Sequence, residues 1–217
     1  MQSRAWKTRF ALTTAAARAF GAHGYESTSV QEILRAAGLT KGAFYFHFSS
    51  KEELASCIVG MEGATWSTLA MRVRAAERSG IRGLIDFSFE ASRRLMQDPV
   101  ARAGTRLRLE GRGFGQPTGR AETQWFFIVM EFLALAQEHG ELRPGLDLRA
   151  TAEVFVETFA GVQLLSDAGS GWLDLERRLT TMWRITLPIL VEPEVCAAFT
   201  AGLSARHAPR DGTDDRQ

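Results

Sequence analysis

Residues 24–55 read GYESTSVQEILRAAGLTKGAFYFHFSSKEELA, and the spacing of caps and glycines in this stretch decides the fold. Ser29 followed three residues later by Glu32 has the form of a capping box. Val30, Ile33, Leu34 and Ala37 then recur at helical spacing and predict a short helix. Gly38 breaks it, because glycine adopts the left-handed conformation that a sharp turn requires. Thr40 is a good N-cap for a second short helix over Lys41–Phe46. Ser49 or Ser50 caps the next one, with Glu52 and Glu53 in the favourable first turn. Two short helices around a glycine turn make a helix-turn-helix, whose second helix enters the major groove of DNA. Val30, Ile33, Leu34, Leu39 and Phe44 supply the apolar wedge that sets the angle between the helices. Phe46 and Phe48 also read as core. Thr40, Lys41, Gly42 and Tyr45 are left on the outside. Gly42 costs about 1 kcal/mol against alanine in a helix, which makes sense if the helix must come close to a nucleic-acid backbone or base edge. Tyr45 and His47 can donate to phosphates, and Lys51 adds charge where the amides of a helix N-terminus also attract a phosphate.

Working outward, the chain reads as helix after helix. Trp6–Phe20 carries an apolar stripe closed by Gly21 and Gly24. A long helix is expected from Lys51 to about Arg78, followed by Ile81–Gln97, which ends at Asp98-Pro99, and Val100–Leu109. Residues 110–119 hold four glycines and Pro117 and predict a loop. Further helices are expected over Thr123–His139, Arg149–Ser166, Leu173–Val191 (kinked or ended by Pro188) and Glu192–Ala205, with turns at 142–148 and 168–171. Residues 207–217 are polar and predicted to fray. No β-alternation, repeat or low-complexity tract appears. The expected fold is all-α: a helix-turn-helix domain over 1–50, a larger helical domain over 51–206 and a disordered tail over 207–217.

Composition excludes several classes of function. The 217 residues are 45% hydrophobic and 24% charged, as in ordinary globular domains. Cys57 and Cys196 lie far apart, and none of the four histidines sits at metal-ligand spacing, so neither a disulfide framework nor a metal site is expected. The start, MQSRAWKTRF, has no apolar core of a signal peptide, and no run reaches the ~18 apolar residues of a membrane helix. A cytoplasmic location, away from membranes, is expected. The net charge of +1 hides an asymmetry. Residues 1–56 hold seven Lys and Arg, including all three lysines, against four Glu. Such a bias marks a candidate nucleic-acid-facing part.

The decisive stretch also resembles the N-terminal DNA-binding domain of TetR-family transcriptional repressors. The likeness runs from about Lys7 to Ile58 and rests on Phe20-x3-Gly24-Tyr25, Thr28-Ser29-Val30, Ile33, Ala37-Gly38, Thr40-Lys41-Gly42, Phe44-Tyr45-Phe46-His47-Phe48 and Lys51-Glu52-x-Leu54. It implies a homodimer that binds double-stranded operator DNA through the small domain. The larger domain would hold a ligand and the dimer interface. Thr28, Tyr45, His47 and Lys51 then look like phosphate contacts, and Thr40, Lys41 and Gly42 like groove-facing residues. Lys7 and Arg9, with Arg4 ahead of them, are either basic contacts or part of a solvated arm.

Within that family the chain is similar to γ-butyrolactone autoregulator receptors of actinomycetes and their furan- and butenolide-binding relatives. The similarity lies in Lys41 to Phe48, Asp98-Pro99-Val100-x-Arg102-Ala103-Gly104-x-Arg106-Leu107, Trp125 opening an apolar helix, Glu141-Leu142-Arg143-Pro144-Gly145-Leu146-Asp147 and Phe159-x-Gly161-x-Gln163. The excess of arginine over lysine suits a high-GC genome. The resemblance implies a small hydrophobic lactone or furan in an apolar pocket with a few polar anchors. Trp125 would form a wall. Phe87, Phe89, Phe126 and Val129 would line the rest or serve as plain core. Thr158 and Gln163 are candidate hydrogen-bonding groups, although Gln163 can equally find protein or water. No cofactor and no catalytic residue is implied. Leu164, Leu165, Trp172, Trp183, Leu187 and Leu190 are candidates for a dimer interface across the last two long helices, with Trp183 alternatively intrachain core. Two other readings are weighed. A multidrug-binding repressor needs buried acids, for which Glu131, Glu153 and Glu157 are the candidates. A small all-α enzyme lacks support, since no nucleophile–base, metal or phosphate-loop pattern is present.

Overall fold

The structure, a computed structural model, describes residues 2–76, 80–110 and 124–205. These form ten helices: α1 (Gln2–His23), α2 (Val30–Ala37), α3 (Lys41–His47), α4 (Lys51–Arg74), α5 (Gly80–Gln97), α6 (Pro99–Leu109), α7 (Gln124–Glu138), α8 (Leu148–Ser170), α9 (Leu175–Leu190) and α10 (Pro193–Ala205). The fold is all-α. Among the described residues the sole β feature is an isolated antiparallel bridge between Leu142 and Val191. The loop expected over 110–119 and the tail over 207–217 lie essentially outside the described residues.

Packing divides the chain into two compact units, one of residues 1–75 and 90–128, the other of residues 76–89 and 129–217. The boundary expected at residue 50 differs from this division, because α4 and α6 pack with the first helices rather than apart from them. In the first unit α1 lies against α2, α3, α4 and α6. Its core is Leu12, Ala16, Phe20, Ile33, Phe44, Phe48, Leu54, Ile58 and Leu107, all buried. α1 begins earlier than its apolar stripe suggested and runs through Gly21. Trp6 and Phe10 stand in solvent and stack on each other at 5.3 Å; the buried stripe is the next one along, from Leu12 to Phe20. Residues 4–9 are thus a helical turn and not a loose arm. Gly104 admits close approach of α6 to α4, since a Cβ there would lie 2.4 Å from the Glu62 Cβ.

The second unit packs α8 on α9 and α9 on α10. Trp183, fully buried, lies 5.2 Å from the Phe155 ring and donates its indole N–H to Ser88 Oγ at 2.9 Å. Gly80 brings the start of α5 against the α7 backbone: a Cβ there would sit 2.2 Å from Ala136 N. α8 runs four residues past its expected end, and Gly171 stops it in the left-handed conformation (φ 57°). The next residue, Trp172, also has positive φ (75°). Asp174 secures this corner, accepting from Ser166 Oγ and Ser170 Oγ at 2.8 Å each and from Arg178 Nε at 2.7 Å. Those hydroxyl donors, with Arg178, hold its carboxyl far below the usual carboxylate range. Pro188 sits inside α9 without ending it. The helix runs only two residues further, so little is lost with the missing N–H.

Candidate functional site

The three side-chain N-caps read from the sequence are made. Ser29 Oγ accepts from Glu32 N at 3.1 Å, Thr40 Oγ1 from Ala43 N at 3.3 Å and Ser50 Oγ from Glu53 N at 3.0 Å. Gly38 takes φ 64°, and Leu39 N reaches back to Leu34 O at 3.0 Å. The result is α2, a left-handed turn and α3, with Ile33, Leu34 and Phe44 buried between them and Val30 and Leu39 partly so. The Glu32 half of the capping box is turned elsewhere: its carboxylate lies 3.7 Å from His23 Nε2.

The outward face of α3 is what a groove-reading helix presents. Thr40, Lys41 and Gly42 are exposed, Tyr45 is 53% exposed and His47 is half-buried. Lys41 Nζ lies 5.9 Å from the Tyr45 ring centre, one helical turn along. A Cβ on Gly42 would meet nothing nearer than Thr40 Oγ1 at 4.0 Å, and its φ lies outside the positive range that glycine alone adopts readily. Nothing among the described residues calls for glycine there.

Phe46 corrects the sequence reading. It was expected in the core, yet it is 77% exposed. Phe44 and Phe48 lie four residues apart on one face; Phe46, two residues from each, points about 200° away. The alternation itself carried the signal that the aromatic run conceals.

Three expected DNA contacts are engaged by groups of their own chain. The Thr28 side chain is buried and donates its hydroxyl to Gly24 O at 2.7 Å, while its N–H bonds Tyr25 O. Lys51 Nζ donates to Tyr25 O and Thr28 O, both at 2.9 Å, and lies 4.0 Å over the Tyr25 ring. It staples the turn before α2, leaving one N–H for other use. Arg9 lies over the Phe48 ring at 4.4 Å and donates to His47 O and Cys57 Sγ. Lys7 is exposed on α1. At the start of α4 a carboxylate of the helix itself caps Ser49. Glu53 Oε2 already accepts from Ser49 N at 2.6 Å and Ser49 Oγ at 2.7 Å, bonds that lower its pKa.

The candidate ligand residues fall in both units. In the first, Trp125 is buried with its ring 5.5 Å from that of Trp66, edge-on, and Phe126 is buried. In the second, Phe87 and Phe89 are buried, Phe87 against Phe132 at 5.9 Å, as are Val129 and Gln163. Thr158 is exposed. Five residues turn a helix by about 140° net, so these two candidate hydrogen-bonding groups lie on different faces of α8, Gln163 in the core and Thr158 outside it. Glu131, Glu153 and Glu157, the acids proposed for a cationic drug, are all exposed.

The buried acid lies where the sequence reading did not look. Glu62 of α4 is fully buried. Its Oε1 accepts from Trp66 Nε1, from Thr105 Oγ1 at 3.2 Å and from an Arg108 guanidinium nitrogen. Its Oε2 has no hydrogen-bond partner among the described residues. Burial raises the Glu62 pKa, while Arg108 and the hydrogen bonds from Trp66 and Thr105 pull it back. An orphaned buried acceptor costs about 1–3 kcal/mol, more when charged. The signal was present: Glu62 continues the Ile58, Val59, Trp66, Leu69, Val73 stripe, a core position occupied by an acid. A groove of about 580 Å³ lined by Thr65, Thr68, Arg72, Glu90 and Arg93 lies elsewhere in this unit. Its charges are mutually paired, Arg93 with Glu90 at 2.8 Å and Arg72 with Glu90 at 3.9 Å.

A capped helix, a left-handed glycine turn and a second helix with an outward polar and aromatic face define a helix-turn-helix protein of the DNA-binding class. Comparison with known proteins agrees. Residues 12–56 match the model of bacterial regulatory proteins of the tetR family, and residues 78–192 that of the tetracyclin repressor-like C-terminal domain. The chain belongs to the TetR family of bacterial regulators. It is 38% identical over 196 residues to the A-factor receptor protein of Streptomyces griseus, covering 90% of this chain and 68% of that one. It superposes on a crystal structure of a gamma-butyrolactone receptor (ArpA-like protein) with TM-score 0.79 at 32% identity, covering 94% and 96% of the two chains. It also matches CprB from Streptomyces coelicolor, solved in complex with its biological operator sequence, with TM-score 0.77 at 33% identity, covering 94% and 97%. Among the described residues no helix is long and apolar enough to cross a membrane, and no cluster of three or more metal-ligating side chains occurs.

Proposed function

We propose that this chain is a cytoplasmic repressor that binds operator DNA as a homodimer and releases it on binding a small γ-butyrolactone, butenolide or furan signal. The observation that carries the DNA-binding half is α3, whose exposed face joins Thr40, Lys41, Tyr45 and Phe46 to a glycine that the chain itself does not require. Thr40, Lys41 and Gly42 read the groove. Tyr45 and His47 hold phosphates, with Lys7 and the remaining N–H of Lys51 adding charge. The kinship with the A-factor receptor and a gamma-butyrolactone receptor supports the signal class, and control of secondary-metabolite genes is the role that fits it.

Dimerisation rests on apolar side chains that stand exposed among the described residues. Leu164 and Leu165 on α8 and Ile185 and Ile189 on α9 are each more than half exposed. Trp172, Trp183, Leu187 and Leu190, also expected at that interface, are buried within their own unit; they support the interface helices from behind. A two-fold dimer sets its recognition helices about 34–36 Å apart, one turn of DNA. Within the first unit, Trp125 touches Trp66 of α4, and α4 begins at Lys51 beside α3. A ligand at Trp125 thus bears directly on the helix that carries the reading head. It favours release only by its differential affinity for the two arrangements.

Fluorescence anisotropy with a labelled fragment of the DNA upstream of its own gene tests this reading. Binding is expected to weaken steeply with salt and to be reversed by a synthetic γ-butyrolactone. Trp125→Ala should keep operator affinity but lose most of the reversal. Salt-independent binding, or normal release from the Trp125 variant, contradicts the proposal.

A further inference from the structure

We infer that the exposed aromatic pair on α1, Trp6 and Phe10, and the groove beside it form a self-complementary surface through which dimers of this chain pair when they bind next to one another on DNA. The inference goes beyond the repressor reading above and rests on its DNA-binding half. Trp6 is 64% exposed and Phe10 54% exposed, and their rings stack at 5.3 Å. Two rings held against each other lose little further freedom on docking, so the stack is a ready-made apolar projection. An open groove of about 480 Å³ begins at Phe10 and runs along α1 to His23, with Ala36 and Ala37 of α2 on its other side. Trp6, Phe10, Thr14 and Arg18 recur every four residues and follow one face of the helix. Projection and recess thus lie end to end on one surface.

That order is what a two-fold contact requires. An axis passing beside Phe10 sets two α1 helices antiparallel, with Trp6 of each copy opposite Thr14 of the other. The shift from Trp6 to Thr14 is about 12 Å along the helix, which carries the indole into the groove of the other copy. Arg18, on the groove wall, then comes to the face of that indole, and Arg4 is set towards the groove end that carries Glu32. Each contact is made twice, as in any isologous interface.

The area decides when the contact forms. Trp and Phe each carry about 150–250 Å² of buriable surface, so at these exposures the four rings cover roughly 350–600 Å², and the groove walls a similar area. The sum, roughly 700–1,200 Å², lies at or below the lower end of interfaces that hold on their own. Dimers therefore stay apart in dilute solution and pair where DNA supplies a high effective concentration. The reading helix α3 belongs to the same compact unit as this face, so copies reading adjacent stretches of DNA bring the two surfaces within reach.

The test uses the purified full chain. Footprinting on the DNA upstream of its own gene marks the operator, which is trimmed until ultracentrifugation shows one dimer on it. Duplexes carrying that sequence once, or twice with spacers stepped over about one helical turn, ~10 base pairs, are titrated by anisotropy. At one spacer phase the second dimer should bind at least about tenfold more tightly than the first. Trp6→Ala removes the projection and Ala36→Trp fills the groove. Each should abolish that gain and keep the affinity for the single site within about twofold. Both positions are exposed; thermal melts check that the variants fold, and if one does not, the other decides. Independent binding of the two dimers at every spacer, or a gain that survives in a folded variant, overturns the inference and leaves the repressor reading intact. Weakened single-site binding by Trp6→Ala with the gain retained would show that the rings touch DNA, and would also overturn it. Failure to bind DNA at all sinks the DNA-binding reading and this inference with it.

Discussion

Replacing Gly42 by alanine separates the needs of the chain from the needs of its partner. Glycine in a helix is less favourable than alanine by about 0.5–1 kcal/mol, because its backbone loses more freedom on folding. Gly42 occupies the first turn of α3, with Thr40 as the N-cap. Its added methyl would meet only Thr40 Oγ1, at 4.0 Å, an ordinary contact. The variant should therefore be more stable by up to about 1 kcal/mol, a rise in melting temperature of about 2–4 °C for a chain of this size. Operator affinity should move the other way. If the α3 backbone approaches a base edge or phosphate as closely as a glycine permits, a methyl group pushes the helix off. A displacement that loses even one charge-assisted contact costs about 1.5–3 kcal/mol, roughly ten- to a hundredfold in Kd. Differential scanning calorimetry and anisotropy titration on the same preparation give both numbers. A variant that is more stable and binds its operator with unchanged affinity refutes the reasoning, for the glycine would then serve neither fold nor contact. A variant that loses stability refutes the claim of open space around the residue.

Three further outcomes follow from particular contacts. Lys51→Ala removes two bonds to the carbonyls of Tyr25 and Thr28 and should lower stability by ~1–2 kcal/mol, whereas Tyr45→Ala should change it by less than about 0.5 kcal/mol while weakening operator binding; urea melts of both variants check the contrast. Ile185→Asp places a charge on the exposed apolar face of α9; analytical ultracentrifugation should show a shift towards monomer, with operator binding lost in parallel and the helical circular dichroism retained. Asp174 has a folded pKa depressed below its usual 3.8 by Ser166, Ser170 and Arg178. Its contribution is present above that usual value and is lost as the pH falls further, so Asp174→Asn should be less stable than the wild type at pH 6, and the difference should shrink below about pH 4 in thermal melts.

The local frame was legible because it is set by near neighbours. Ser29, Gly38, Thr40 and Ser50 act over three or four residues, and each made the bond its position implied. Helix boundaries drifted where a cap has competitors: α8 ignored the first small residues at its end and stopped at Gly171. The candidate site was legible in part. Thr40, Lys41, Gly42 and Tyr45 are exposed. Thr28 and Lys51 are not, because the partners that engage them, Gly24 O and the carbonyls of Tyr25 and Thr28, are backbone groups of a turn with no periodic signature.

By itself, then, the order of caps, glycines and apolar positions determined that the chain is all helix, where the helix-turn-helix lies and which family it belongs to. Those properties depend on hydrogen bonds and periodicities spanning a few residues. Only the tertiary structure decided that Leu164, Ile185 and Ile189 stay uncovered while Trp183 is sealed, and that the donors around Glu62 converge on one of its oxygens. Each of these depends on which helix lies opposite. Glu62 and Arg108 are separated by 45 intervening residues, and only the packing of α6 on α4 across Gly104 brings the cation to the buried carboxylate.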